Sequence, residues 1–150
     1  MVTIIARDAQ ELIGQAIDSA KFADKVIVFL DSRTKDKTKK TAEKHGALVI
    51  INQATDKDDF AQWRNQILDQ VESKWLFYLD ADERFTPEAE KEITKIVDQE
   101  AEFSAYAVPR ANYYLGKRVK HGGSWPDYVE RLFLRKDLKR WQGELHERPM

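Results

Sequence analysis

Two hydrophobic rhythms alternate along the first two thirds of the chain. Val2–Ala6 (VTIIA) is an unbroken apolar run rich in β-branched residues, which predicts a buried strand. Residues 9–23 then space Leu12, Ile13, Ala16, Ile17 and Ala20 at helical intervals. Residues 25–31 (KVIVFLD) predict a second strand. Asp36 is placed to cap a helix running to His45, with Gly46 as its stop. Residues 47–51 (ALVII) predict a third strand. Residues 58–72 put Phe60, Trp63, Ile67, Leu68 and Val71 on one side of a helix. Residues 74–80 (KWLFYLD) predict a fourth strand. Thr86 and Pro87 then open another helix as N-cap and first helical residue.

Strands that are apolar throughout and alternate with helices predict an α/β fold, with a parallel sheet covered on both faces. From residue 104 the rhythm changes. Residues 105–121 and 128–142 alternate or look hairpin-like, with few helix signals, and predict an antiparallel C-terminal portion. No internal repeat, low-complexity tract or linker interrupts the chain.

In an open α/β sheet, ligands bind outside the carboxyl ends of the strands. Four polar groups fall there: Arg7 and Asp8 after the first strand, Asp31 after the second, Asn52 after the third, and Asp80 and Asp82 after the fourth. Residues i and i+2 of an extended segment point the same way. Asp80 and Asp82 are therefore two hard oxygen donors suited to Mg2+ or Mn2+ held together with substrate phosphates. Alone, such a pair reads more readily as a turn cap beside a solvated carboxylate. Its position after the fourth strand favours the site.

Composition narrows the classes. The 150 residues are 42% hydrophobic and 34% charged, enough for one domain with a real core and too apolar for disorder. Net charge is −1, so overall charge names no partner, and no basic–aromatic motif points to nucleic acid. The distribution is uneven: residues 51–103 hold six Lys/Arg against fourteen Asp/Glu, and residues 104–150 hold ten against five. The basic end suits phosphates or an anionic surface, and equally a solvated face. With no cysteine, disulfides, thiolate nucleophiles and Cys-based zinc sites are excluded. The N-terminus meets charge within a few residues, unlike a signal peptide, and no apolar run approaches a membrane span.

The motifs in order resemble glycosyltransferase family 2. Residues 25–38 (KVIVFLDSRTKDKT) resemble its second-strand segment, and residues 59–68 (DFAQWRNQIL) its "RN" helix. Residues 75–88 (WLFYLDADERFTPE) are similar almost letter for letter to its "LDADE" segment. The tail, residues 108–149, resembles a bacterial branch of lipopolysaccharide-core β-glucosyltransferase-like enzymes, through "HGG", "RLF.R" and "HE". The resemblance covers essentially the whole chain.

It implies a GT-A fold, a Rossmann-like mixed, mostly parallel sheet flanked by helices. It also implies transfer of a sugar, with inversion, from a nucleotide-sugar (a UDP-sugar) to a hydroxyl of a cell-envelope glycan or lipid-linked acceptor. Residues 1–103 would be the nucleotide-binding half. Residues 104–150 would be the acceptor-side half, cut short at its C-terminal end. Asp31 would contact uracil or ribose, with Ala6, Arg7 and Ala81 lining the donor. Asp80 would meet the ribose or help hold the metal, and Asp82 would be the direct metal ligand, with Mg2+ or Mn2+ as cofactor. Arg64 and Asn65 match the "RN" pair near the nucleotide that orders the Asp80–Asp82 loop. Glu147 of the "HE" pair is the expected general base, with Asp127 as competitor, and His146 could reach the metal or diphosphate. His121, Gly122, Gly123 and Trp125 fall on the acceptor or sugar side. Arg131 reads as a phosphate contact or a partner of Glu130 or Asp127. Glu83 has the weakest claim to chemistry and reads as a loop brace. A cytoplasmic location is expected, with peripheral association at the inner face of the membrane.

Two loops depart from the family pattern. Ala9 stands where an acidic residue commonly approaches the nucleoside, and Arg33 and Lys37 replace glycines in the second loop. These changes bear on base contact and donor identity, not on the metal–diphosphate chemistry. A phosphatase of the haloacid dehalogenase type also uses paired Asp residues, but after its first strand. A non-catalytic nucleotide-sugar or glycan-binding domain is the alternative that survives.

Overall fold

The computed structural model describes residues 1–53, 60–119, 121, 125–143 and 148–150. A six-stranded sheet runs in the order β3 (Leu48–Asn52), β2 (Val26–Asp31), β1 (Val2–Ala6), β4 (Trp75–Asp80), β8 (Asp127–Leu134), β5 (Ala105–Arg110). The first four are parallel, with Ile4 opposite both Val28 and Leu79. β8 is antiparallel to β4, ending its ladder at Phe77–Leu132, and β5 is antiparallel to β8 with a bulge at Tyr106/Ala107. Two short ladders complete the tail: β6 (Tyr113–Tyr114) with β7 (Lys117–Arg118), and β9 (Trp141–Gln142) with β10 (Arg148–Pro149).

The apolar runs bury both faces because alternate residues point opposite ways. Val28, Leu30, Phe77 and Leu79 enter one core with Ile13 and Ile17 of α1 (Ile13–Ser19), Ala42 of α2 (Thr38–Lys44) and Ile93 of α4 (Pro87–Val97). Ile27, Phe29, Leu76 and Tyr78 enter the other with Ile67 and Leu68 of α3 (Phe60–Gln70), and with Leu138 and Trp141. Each such side chain fully removed from water contributes about 1.5–3 kcal/mol.

The expected cover fails at β3, where Leu48 and Ile51 stay 52% and 44% exposed. β3 is the edge strand, with a neighbour on one side only. α1 is also shorter than its apolar spacing predicts. Asp8 takes a left-handed conformation (φ 46°), and the N–H groups of Leu12 and Ile13 both turn back to the Ala9 carbonyl. α2 starts at Thr38, because Asp36 accepts the Thr38 N–H (2.9 Å) ahead of the helix. Gly46, at φ 93°, ends that helix as expected. α4 begins as read: Thr86 Oγ1 accepts the Ala89 N–H (3.2 Å) and Pro87 follows, a cap worth about 1 kcal/mol.

Candidate active site

The carboxyl ends of β1 to β4 form one edge. The loops after β1 and β2 are stitched together there. Thr38, fully buried, accepts the Ala9 N–H at 2.7 Å, Asp36 accepts the Gln10 N–H at 3.0 Å, and Asp8 accepts the Lys35 N–H at 2.7 Å. Ala9 is itself in the core, so the position where the family carries an acid is here a packing contact.

Asp31 is the buried acid of this edge. Arg33 Nη2 donates to its Oδ2 (2.7 Å), Arg33 Nε reaches both oxygens (3.0 and 3.1 Å), and the Arg33 N–H donates to Oδ1 (2.8 Å). Arg7 stands 3.5 Å from the same carboxylate. The Arg33 side-chain hydrogen bonds, outweighing burial, hold the Asp31 carboxyl below the usual carboxylate range. The Arg33 guanidinium also lies 5.9 Å from the Trp63 ring centroid. Asn52, opposite Asp31 in the ladder, is buried, and its Nδ2 finds no partner among the described residues.

The loop after β4 carries Asp80, Asp82 and Glu83. Arg131 of β8, only 5% exposed, donates from Nη2 to Asp80 Oδ2 (2.6 Å) and Glu83 Oε1 (2.7 Å). Its carboxylate partners are thus Asp80 and Glu83 rather than the expected Glu130 or Asp127. Burial opposes its charge, and the two carboxylates more than compensate, keeping its pKa above the ordinary arginine value. The Asp80 N–H donates to Glu83 Oε2 (3.0 Å), and the Glu83 N–H returns to the Asp80 carbonyl (2.9 Å). Arg84 ties the loop to α1 by donating to the carbonyls of Ala81 (3.0 Å) and Leu12 (2.8 Å). Glu83 is thus a brace, as read. Asp82 is exposed and makes no hydrogen bond or ion pair among the described residues.

Arg64 and Asn65 act on the tail. The Arg64 guanidinium sits between the rings of Tyr78 (4.8 Å) and Trp141 (4.7 Å). Asn65 Oδ1 accepts the Trp141 N–H (2.7 Å) and Nδ2 donates to the Trp141 carbonyl (3.0 Å). Trp141 Nε1 donates to the Tyr78 hydroxyl, whose pKa burial pushes up to about 12. Asn65 therefore fixes β9 rather than touching the Asp80–Asp82 loop directly. Trp141 belongs to the tail stretch that resembles the family, but its role in seating Arg64 and Asn65 was not assigned from sequence.

On the far side of β8, Arg110 (2.9 and 3.0 Å) and Asn112 (2.8 Å) both donate to Asp127 Oδ2. The Asn112 bond first, then Arg110, holds the Asp127 carboxyl below its usual range. Arg110 also approaches Glu83 at 3.5 Å, so a continuous charge chain links Asp127 to Asp80. Trp125 is 38% exposed, with the Arg118 guanidinium 4.2 Å from its ring centroid, and His121 is exposed. Gly122, Gly123, His146 and Glu147 lie outside the described residues.

Among the described residues no three His, Asp or Glu side chains gather as a metal cage. The chemistry of the exposed Asp82 carboxylate, a hard oxygen donor, suits a hard divalent ion all the same.

The model of the family described as "Glycosyl transferase family 2" matches residues 1–148. The chain belongs to this family. Among curated relatives of the family 2 domain, a TPR repeat-containing protein of Synechococcus elongatus is 32% identical over 144 residues, 96% of this chain and 34% of the relative. The SPbeta prophage-derived glycosyltransferase SunS of Bacillus subtilis is 27% identical over 149 residues, 98% of this chain and 34% of SunS. The chain therefore spans about a third of the length of these relatives. Among solved structures, a TarS fragment from Staphylococcus aureus superposes with a TM-score of 0.63 at 16% identity, covering 89% of this chain and 46% of that chain. Glucosyl-3-phosphoglycerate synthase from Mycobacterium tuberculosis, solved with Mn2+, UDP and glucosyl-3-phosphoglycerate, gives 0.60 at 15% identity, covering 91% of this chain and 57% of that chain. The family 2 domain has the GT-A fold that these likenesses share. No helix among its described residues is long and apolar enough to cross a membrane.

Proposed function

We propose that this domain is an inverting, metal-assisted glycosyltransferase. It moves a sugar from a UDP-sugar to a hydroxyl of a cell-envelope glycan or lipid-linked acceptor, as in the lipopolysaccharide-core branch that its tail resembles. The observation that carries the reading is Asp82: an exposed carboxylate with no hydrogen bond or ion pair among the described residues and only the Arg84 charge nearby, in a braced loop on the ligand-binding edge of the sheet. The TarS fragment has been solved with UDP-GlcNAc and the synthase with UDP and Mn2+, which supports the donor class and the metal.

Residues 1–103 bind the donor, and residues 104–150 face the acceptor. Asp82 and the diphosphate would hold the ion, with His146 of the tail motif as a further ligand. When bound, the ion neutralises charge developing on the leaving diphosphate. Asp80 stands on the nucleoside side. The nucleoside meets an Asp31–Arg33 pair in place of a bare carboxylate, with Arg7 beside it. Glu147 takes the proton of the attacking hydroxyl as its oxygen bonds to the anomeric carbon and the bond to UDP breaks. Asp127 is the weaker base, because Asn112 and Arg110 lower its proton affinity. The domain works at the inner face of the membrane.

The test is calorimetric titration of UDP with and without Mn2+, on the wild type and on Asp82→Ala. Metal-dependent UDP binding that disappears in the variant supports the reading. Binding indifferent to both metal and Asp82 sinks it. UDP binding without any sugar transfer or UDP release from UDP-sugars would favour the non-catalytic binding domain.

A further inference from the structure

The β6–β7 ribbon leaves the sheet between the end of β5 at Arg110 and the start of β8 at Asp127. β8 runs antiparallel to β4, so the ribbon rises from the carboxyl end of β4, the edge that carries the candidate site. Its base is clamped there. The Asn112 side chain donates to Asp127 (2.8 Å), and the Asn112 carbonyl accepts the Val119 N–H (2.8 Å).

Beyond the clamp, Tyr113, Tyr114 and Leu115 are three consecutive large side chains, 66%, 73% and 86% exposed. Leu115 has φ 48° and Gly116 φ 74°, the two-residue turn in which Asn-Gly is preferred and a bulky first residue is strained. At its exposure, no burial within the domain offsets that strain. Cross-strand pairs set Tyr113 beside Arg118 and Tyr114 beside Lys117. Successive residues of a strand point to opposite faces. Each face of the ribbon therefore carries one ring and one cation, with Leu115 at the tip. Arg118 also lies 4.2 Å from the Trp125 ring centroid.

A groove on a folded partner would meet one apolar face, and this ribbon has none. A bilayer interface surrounds an inserted tip and takes apolar, aromatic and cationic groups in order of depth. Charge selects the lipid. Residues 104–126 hold Arg110, Lys117, Arg118 and Lys120 and no Asp or Glu, which suits anionic headgroups.

We propose that the β6–β7 ribbon docks the domain on an anionic lipid surface. Leu115 enters the acyl boundary, Tyr113 and Tyr114 lie among the headgroups, and Lys117 and Arg118 meet their phosphates. This rests on the reading that the domain works at the membrane, and names the segment and the lipid charge responsible. Because the ribbon rises from the site edge, docking brings that edge to the surface where the hydroxyl of a lipid-linked acceptor emerges.

The experiment floats the protein with vesicles of phosphatidylcholine alone or mixed equally with phosphatidylglycerol. The wild type is compared with Leu115→Asn and with the double variant Lys117→Gln/Arg118→Gln, each checked for a cooperative melt and for UDP affinity. Asparagine suits the left-handed turn, so Leu115→Asn should fold at least as well as the wild type. The wild type should bind the mixed vesicles, and less so as salt rises. Leu115→Asn should bind them about tenfold more weakly, from the apolar burial lost. The double variant should lose about fivefold per cation, and with it the preference for the anionic lipid. UDP affinity should be the same in all three. Since the chain has no cysteine, an environment-sensitive dye can be attached at Leu115→Cys alone. Its emission should shift to the blue on mixed vesicles, and the same dye at Leu48→Cys, on the exposed edge strand, should not shift.

Either variant matching the wild type on vesicles overturns the proposal, as does equal binding to both lipid compositions. A blue shift at Leu48→Cys without one at Leu115→Cys overturns the ribbon's role and leaves the membrane location standing. A wild type that floats with neither vesicle overturns both. Normal vesicle binding by a wild type that binds no UDP overturns the donor reading alone.

Discussion

The Asn65 side chain pairs with both main-chain groups of Trp141, accepting its N–H at 2.7 Å and donating to its carbonyl at 3.0 Å. A single amide on α3 thus acts as the neighbouring strand that β9 lacks on that side. β9 leads directly into residues 144–147, which contain the "HE" pair.

Asn65→Ala should cost about 2 kcal/mol in stability, from two lost hydrogen bonds and a buried main chain left without partners. Urea denaturation checks this through a lowered midpoint at an unchanged slope. The same variant should weaken transferase turnover more than UDP affinity, because it loosens β9 in the tail and not the donor edge. A loss confined to UDP affinity would place Asn65 at the nucleotide instead.

Thr38 is fully buried and is the acceptor for the Ala9 N–H at 2.7 Å. Thr38→Val conserves shape but strands that donor, for an expected loss of about 1–3 kcal/mol. Thr38→Ser keeps the hydroxyl and should retain most of the lost stability. Thermal melts of the three proteins compare them directly, and equal melting of valine and serine variants would contradict the assignment.

Asp31 links stability to pH. Its folded pKa is lowered, chiefly by the Arg33 side chain. A lowered carboxylate contributes stability that is fully present above its unfolded value of about 3.9 and is lost as pH falls through the folded value. Asp31→Asn should therefore be less stable than the wild type at neutral pH. The gap should narrow as pH falls below the unfolded value and through the folded one. Urea titrations across that range test this; a constant gap would mean that the Arg33 pair contributes nothing charge-dependent.

Glu147→Gln should abolish UDP release from a UDP-sugar while leaving UDP affinity intact. Asp127→Asn should retain turnover, since Arg110 and Asn112 already occupy one of its oxygens. Measuring turnover and affinity on both variants separates the candidates, and the opposite pattern would move the base role to Asp127.

The first four strands were legible because β1, β2 and β4 bury both faces, which leaves an apolar run with no polar interruption. Thr86 and Pro87 marked α4 because capping is a local event. The exposure of β3 was not legible, since an edge strand and an inner one carry the same apolar letters. Nor was the short α1, because the Asp8 turn depends on the Lys35 N–H, 27 residues away.

By itself the sequence determined the rhythm of strands and helices, the cap of α4 and the acidic loop after β4. These follow from side-chain period and from groups a few residues apart. Tertiary structure alone decided which cation meets that loop. Arg131 lies 51 residues from Asp80, and only the antiparallel entry of β8 beside β4 brings its guanidinium there. The Asn65–Trp141 pair spans 76 residues in the same way. Which charge meets which depends on strand order and register, and those are set by burial of the whole sheet rather than by any neighbourhood of the chain.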